Sequence, residues 1–368
     1  MPSDHTPARP LRILVTGAAG LIGRGVCAAL AGRGHAVAGL LRRRDAGAPE
    51  PADLAAGTVV LVEGDVAEPS LGLEPAMAGR LAVQLDVIVH CAALTGFNLA
   101  ASAYDRVNRG GTAQVLAFAA RLGAARSGAP VPLLHVSTAF VCGAAEGTVP
   151  EAPLTTTRFN NGYEASKQAA EALVTAARLG GQPVAVARPS IVVGNWADGH
   201  TDAFGNLYQL IRLVAEGRLK VLPVADGASL DLVPLDHVVG GLVDITERMT
   251  EADGRVFHLA SGRPVPITAL SRVALAFPQI RPPRFVSPET FDPAQLSPRE
   301  RRLHEQVVTA YAAYLRPSPQ FVVEALQRLS FRRCPPVDDA LLHRLIAFAV
   351  SAGFLPGEAG AVSHLTSG

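Results

Sequence analysis

Tyr163 and Lys167 stand four residues apart in the stretch Asn161-Gly-Tyr-Glu-Ala-Ser-Lys167. On a helix, residues at i and i+4 share one face, so the phenol and the ammonium would point into one site. A neighbouring cation stabilises a phenolate and lowers the group from its reference of about 10, which suits a general acid working near neutral pH. The same spacing also arises on solvated helix faces, where it does no chemistry. Composition weighs against that reading. The chain has only two lysines, Lys167 and Lys220, among 33 basic residues, so a lysine here departs from its habit of using arginine.

Three glycines, Gly17, Gly20 and Gly23, follow the apolar run Leu11-Arg-Ile-Leu-Val-Thr16 and open an amphipathic stretch reaching about residue 33. After a strand and before a helix, such glycines form a dinucleotide turn. The first allows the sharp turn, the second lets backbone approach a pyrophosphate, and the third lets helix pack on strand. Leu21 and Ile22 begin that helix, whose N-terminus would face the phosphates. A tight turn without a ligand is the alternative. The next strand, Ala36-Val-Ala-Gly-Leu-Leu41, runs into Arg42-Arg43-Arg44 with no acid before Asp45. A carboxylate there would hold a ribose 2′-hydroxyl, whereas guanidinium groups suit a 2′-phosphate. The expected cofactor is therefore NADPH, with NADH second, and Arg42 then Arg43 as its contacts. An ordinary basic loop is the other reading.

The elements that must position these groups alternate along the chain. Thr58-Val-Val-Leu-Val62 reads as a third strand leading to Asp65 and Val66, where Asp65 meets an adenine edge or caps a turn. Asp86-Val-Ile-Val-His-Cys-Ala-Ala93 is a fourth, ending in Cys91, Ala92 and Ala93, small enough for close cofactor approach. Asn108 stands near the start of an alanine-rich helix running to about residue 126; it caps that helix or helps position Lys167 through water. A fifth strand ends in Ser137 and Thr138, at the carboxyl edge where open α/β sheets bind ligands. Pro183-Val-Ala-Val-Ala-Arg-Pro189 is a sixth. This alternation predicts an α/β fold, a Rossmann-type doubly wound parallel sheet with a smaller, mostly helical C-terminal substrate-binding or lid region. The expected division is a flexible stretch at 1–10, a nucleotide-binding domain at 11–190, and a substrate-binding and lid region at 191–368, with a strand near 255–260 returning to the sheet. Helices are expected at about 204–216, 298–315, 320–329 and 338–352, and Asp236 as a helix N-cap.

At 368 residues, 49% apolar and with net charge +1, the chain can bury a large core and carries no bias toward nucleic acid or an anionic membrane. No apolar run approaches the roughly 20 residues of a membrane span. The four cysteines are scattered, which fits reduced thiols and a cytoplasmic setting. No pair of residues has metal-ligand spacing, so no metal is expected, and His90, His135, His237 and His258 read as core histidines.

Together these residues resemble the extended short-chain dehydrogenase/reductase superfamily. The resemblance rests on Gly17-x-x-Gly20-x-x-Gly23, Cys91-Ala-Ala93, Asn108 with Gly111-Thr112, Ser137-Thr138, Tyr163-x-x-x-Lys167 and Arg188-Pro189. Within it, the chain is most similar to the branch of fatty acyl-CoA reductases ("male sterility" proteins) and thioester reductase domains. The narrower match is carried by Gly64-Asp-Val-Ala-Glu-Pro-Ser-Leu-Gly-Leu73, His135-Val-Ser-Thr-Ala-Phe-Val141 with Gly143, Glu171 beside the Tyr-Lys stretch, and Leu232-Val-Pro-Leu-Asp236.

The resemblance implies a catalytic trio of Thr138, Tyr163 and Lys167, with Ser137 as the fallback hydroxyl. It extends the cofactor contacts to Pro189, Ser190 and Ile191. It implies NADPH-dependent reduction of an acyl thioester, on CoA or on an acyl carrier protein met in trans, to an aldehyde or alcohol. Leu94, Phe97, Ser137, Phe140, Trp196 and Phe204 are the expected substrate contacts. The same scaffold serves ketone and aldehyde reductases and sugar-nucleotide epimerases or dehydratases, which would want a more polar pocket. A non-catalytic NADP sensor is a further alternative, although sensors typically lose Tyr or Lys of the trio.

Overall fold

The computed structural model describes residues 9–42, 54–124, 128 and 130–357. Seven strands, β1 (Arg12–Thr16), β2 (Ala36–Leu41), β3 (Val59–Glu63), β4 (Val87–His90), β5 (Leu133–Val136), β6 (Val184–Pro189) and β7 (Val256–Leu259), form one sheet. Its order is β3-β2-β1-β4-β5-β6-β7, and every neighbouring pair is parallel. The order reverses between β1 and β4, which opens a crevice at their carboxyl ends. The inner strands are mostly apolar because helices cover both faces, with His90, His135 and Arg188 as buried exceptions. β4, β5 and β6 are wholly buried, whereas the edge strand β3 exposes Val59 and Leu61.

The crossovers include α1 (Leu21–Gly32), α2 (Pro75–Gln84), α3 (Gly111–Ala124) and α4 (Gly162–Leu179). Alternation along β1 splits the core: Ile13 and Val15 pack with Val26 and Leu30 of α1, while Leu14 packs with Val115 and Phe118 of α3. Helix α4 starts at Asn161, whose Oδ1 accepts the Glu164 N–H at 2.9 Å. Its buried face is unusually polar: Glu164, Ser166, Lys167 and Glu171 all lie on it.

Beyond β6 a second core forms around α5 (Asn206–Ala215) and α7 (Asp339–Ser351), with Leu210, Leu232, Ile267 and Ile346 among its members. Between them α6 (Leu235–Glu247) packs back on the sheet through Val238 and Leu242. A small cluster of Phe140, Cys142, Val149 and Phe321 bridges the two lobes.

Three local expectations need correction. The helix near Asn108 begins at Ala101, and Asn108 lies inside a π-turn over Asp105–Gly110, so it caps nothing. Gly110 and Gly111 look like a helix break, but the π-turn absorbs the extra residue and Gly111 packs against Val66. Asp236 falls in the first turn of α6, whose N-cap is Pro234, and its carboxylate accepts the His237 and Trp196 amides. Residues 320–321 are extended and pair in parallel with Thr148–Val149; the helix there is Glu324–Ser330. Among the described residues no helix is long and apolar enough to cross a membrane.

Candidate active site

The β1–α1 turn is shaped by its glycines. Gly17 has φ +70°, and a Cβ there would meet the Ala92 backbone at 2.8 Å. A Cβ on Gly23 would meet the Gly17 carbonyl oxygen at 2.2 Å, so only glycine lets α1 close on the turn. Gly20 is exposed at the N-cap, where no side chain caps the helix and no acid enters its first turn. The first amides of α1, including those of Leu21 and Ile22, are therefore left for an anion, which fits the pyrophosphate of a dinucleotide.

Around this turn the other expected cofactor residues take different places. Cys91 and Ala92 continue β4, with their amides on the Thr16 carbonyl and hydroxyl at 3.3 Å each, and Ala93 follows. Arg42 is exposed at the end of β2, and Arg43 lies outside the described residues. Asp65 uses its carboxylate on the Ala67 amide at 2.9 Å, a turn-capping bond, and Val66 is in the core. Pro189 ends β6, Ser190 donates to the buried Asp231 carboxylate at 2.6 Å, and Ile191 pairs with Leu232.

The trio converges at the carboxyl end of β5. Thr138 caps the turn Ala139–Cys142 by accepting the Phe140 amide at 3.3 Å, and its hydroxyl donates to the Pro189 carbonyl at 3.4 Å and bonds the Tyr163 phenol. Ser137 is buried with no partner for its hydroxyl. Lys167 is 2% exposed and donates to the Val136 carbonyl at 2.8 Å. Burial brings its ammonium down to about 8, against the opposing pull of Glu171.

Tyr163 departs from the simple expectation. Desolvation pushes its phenol up to about 12; the Thr138 bond opposes this, and Glu164 and Tyr104 add to it. Lys167 is not among the groups that shift the phenol, and its ammonium is committed to the Val136 carbonyl of β5.

Behind Lys167 lies an ion network. Glu171, one turn further along α4, forms a two-pronged bond with Arg188, at 3.0 and 2.7 Å, and Arg188 is fully buried. Arg188 also donates to the Ala152 carbonyl at 3.0 Å. All four core histidines are buried. His90 bridges the Thr16 and Thr112 hydroxyls at 2.7 and 3.2 Å, and His258 bonds the Val322 carbonyl at 2.8 Å. His135 is different: neither ring nitrogen has a partner, and burial with the Lys167 charge holds it well below the usual imidazole range. Among the described residues no cluster of His, Cys, Asp and Glu is arranged for a metal.

The wall facing Tyr163 is aromatic. Asn108 grips the Leu94 amide and carbonyl at 2.7 and 3.0 Å and the Ser166 hydroxyl at 2.8 Å, while Tyr104 bonds the Gly96 carbonyl and the Leu99 amide. This fixes the loop after β4 so that the Phe97 ring lies 6.3 Å from the Tyr163 ring. Phe97 stacks on Tyr314 at 5.3 Å, and Phe140 meets Tyr314 edge-on at 5.2 Å. An open cleft of about 590 Å³ between the 96–99 loop, α5 and residues 306–311 leads to Phe97 and Tyr311.

Two expected substrate contacts fall elsewhere. Phe204 stacks on Phe354 at 4.0 Å inside the second core. Trp196 donates to the Pro336 carbonyl at 3.0 Å and lies under Arg344. Trp196 reads as a loop residue and Phe204 as a helix start, and their partners in the last sixty or so residues lie too far along the chain to be foreseen. Glu164 and Tyr314 were missed as site residues. The only sequence signal for Glu164 was its place beside Tyr163.

The male sterility protein family model matches residues 15–242. Among curated relatives, a glycine betaine reductase of Emericella nidulans is 30% identical over 213 residues, which are 56% of this chain and 16% of that protein. The chain spans less than a fifth of the length of such relatives. Among solved structures, the terminal R domain of the myxalamid PKS-NRPS pathway superposes with a TM-score of 0.79 at 25% identity, covering 95% of this chain and 93% of that one. MoeE5, solved with UDP-glucose and NAD, shares the fold with a TM-score of 0.65 at 20% identity over 93% of this chain and 99% of that one. The chain belongs to the NAD(P)-binding male sterility protein family of the extended short-chain dehydrogenase/reductases.

Proposed function

We propose that the chain is an NADPH-dependent thioester reductase, acting on an acyl group carried by CoA or by an acyl carrier protein and releasing an aldehyde or alcohol. One observation carries the reading: Thr138, Tyr163 and Lys167 converge at the sheet crevice, opposite a wall of apolar rings. Such a wall suits an acyl chain better than a sugar nucleotide, and the R-domain likeness over nearly the whole chain points the same way.

Bound NADPH would supply the hydride. The open N-terminus of α1 would hold the pyrophosphate, Arg42 the 2′-phosphate, and Lys167 the nicotinamide ribose. The Thr138 and Tyr163 hydroxyls would donate to the substrate carbonyl oxygen as charge builds on it. With its phenol raised by burial, Tyr163 stays protonated at neutral pH, as a proton donor for reduction must. For a thioester the first product is a hemithioacetal, which collapses to an aldehyde and a free thiol.

The test follows NADPH consumption against acyl-CoA thioesters and the matching aldehydes, with thiol release and product identity measured. Thiol release with aldehyde or alcohol is the expected result. Turnover of aldehydes or ketones without any thioester turnover would overturn the thioester reading in favour of a carbonyl reductase.

A further inference from the structure

Glu164 follows the proposed proton donor in sequence and is fully buried, yet among the described residues no cation touches it. Its carboxylate accepts the Asn160 amide at 2.9 Å, the Asn160 and Asn161 carboxamides, and the Tyr314 phenol at 2.7 Å. The Asn161 carboxamide also donates to the Tyr314 oxygen at 3.2 Å. Tyr314 comes from the other lobe, and its ring spans Phe97 and Phe140, one on each loop flanking the crevice. Tyr311, one turn earlier, closes on Phe97 at 5.4 Å and ties its hydroxyl to the Asn206 carbonyl at 3.1 Å.

We propose that Tyr314 is a specificity-determining residue, latched by Glu164, whose ring sets the size of acyl group that can reach Tyr163. A buried carboxylate needs its full set of donors, and among the described residues Tyr314 is the one donor from outside the 160–164 turn. The hydroxyl therefore holds the ring in place, and the ring in turn fixes Phe97, the nearest aromatic neighbour of Tyr163. The latch thus couples the turn that starts α4 to the position of the substrate wall. Discrimination by an apolar wall of this kind is modest, about tenfold to two-hundredfold per methylene-sized difference.

This inference uses the thioester reading only for the choice of substrate. Two measurements on the full chain test it. The first compares kcat/KM for short linear and for bulky branched or aryl acyl groups, each offered as CoA thioester and as free aldehyde, in Tyr314→Leu, Tyr314→Phe and Glu164→Gln. Tyr314→Leu is expected to shift the bulky-to-short ratio by about tenfold, mainly through KM, with NADPH affinity unchanged. Tyr314→Phe keeps the ring and is expected to hold that ratio within a few-fold. The second is hydrogen exchange, which needs no turnover: Tyr314→Phe and Glu164→Gln are both expected to raise exchange at residues 160–164. If only aldehydes react, the thioester reading fails while the ratio still tests the wall. An unchanged ratio in Tyr314→Leu, or unchanged exchange at residues 160–164 in Tyr314→Phe, overturns the proposal.

Discussion

At one end of the crevice Gly17, Gly23 and Ala92 approach so closely that backbone meets backbone, and a single methyl group would collide. At the other end Phe97, Phe140, Tyr311 and Tyr314 meet ring to ring, drawn from both lobes. The first surface is made by main chain within one short stretch and its sheet neighbour. The second is made by side chains from three separated places. A surface of amides and tight turns can serve one ligand shape, whereas a surface of rings can be refitted by substitution without disturbing the chain path. The nucleotide end is accordingly fixed by the fold, and the aromatic end is where members of such a scaffold can diverge.

Tyr163 stands between the two ends and carries the largest expected effect. Tyr163→Phe should lower kcat by about 10²–10⁴-fold while leaving NADPH affinity and the circular dichroism spectrum as they are. Near-normal turnover would remove the phenol from the chemistry and undo the comparison at its centre. Next comes the support beneath both ends. Glu171→Gln strands the buried Arg188 guanidinium and should cost about 3–5 kcal/mol of stability, read from thermal or urea unfolding. A loss below about 1 kcal/mol would mean that Arg188 finds other partners among Ala152 and its surroundings.

Smaller effects should separate the two ends. Gly17→Ala adds a Cβ where φ is positive and Ala92 is 2.8 Å away, so a loss of about 1–3 kcal/mol in stability and a weaker NADPH complex are expected. The acyl-substrate preference should not move; if it did, the ends would not be independent. Smallest, Arg42→Ala should raise the NADPH dissociation constant by about tenfold, the value of one charge-assisted bond, and leave that for NADH unchanged. Equal effects on both cofactors would point away from a 2′-phosphate contact.

The same contrast explains what could be read from the chain alone. The alternation of strands and helices follows from apolar runs along residues 11–260, and the glycine turn is a local pattern with local causes in residues 11–33, so both were legible. The polar buried face of α4 was half legible: the i, i+4 spacing marked Tyr163 and Lys167, but not that the lysine would reach to Val136 or that desolvation would dominate the phenol. The aromatic wall was least legible. Phe97 and Phe140 were expected as substrate contacts for their apolar rings, and both meet Tyr314. Trp196 and Phe204 were expected on the same ground and are drawn into other contacts by Arg344 and Phe354. Residue type says that a ring will be buried; only the three-dimensional path says against what.

The short parallel pairing of Thr148–Val149 with Gln320–Phe321 joins segments nearly half the chain apart. During synthesis the N-terminal segment must wait for its partner, since each non-local closure is slow and leaves a strand edge open meanwhile. The sheet itself waits for β7, which docks on β6 only after the intervening segment is made. Refolding experiments should therefore show the β7 edge of the sheet and the Thr148–Val149 pairing maturing after the nucleotide turn, with a shielding partner or chaperone most useful before residues 256–321 have emerged.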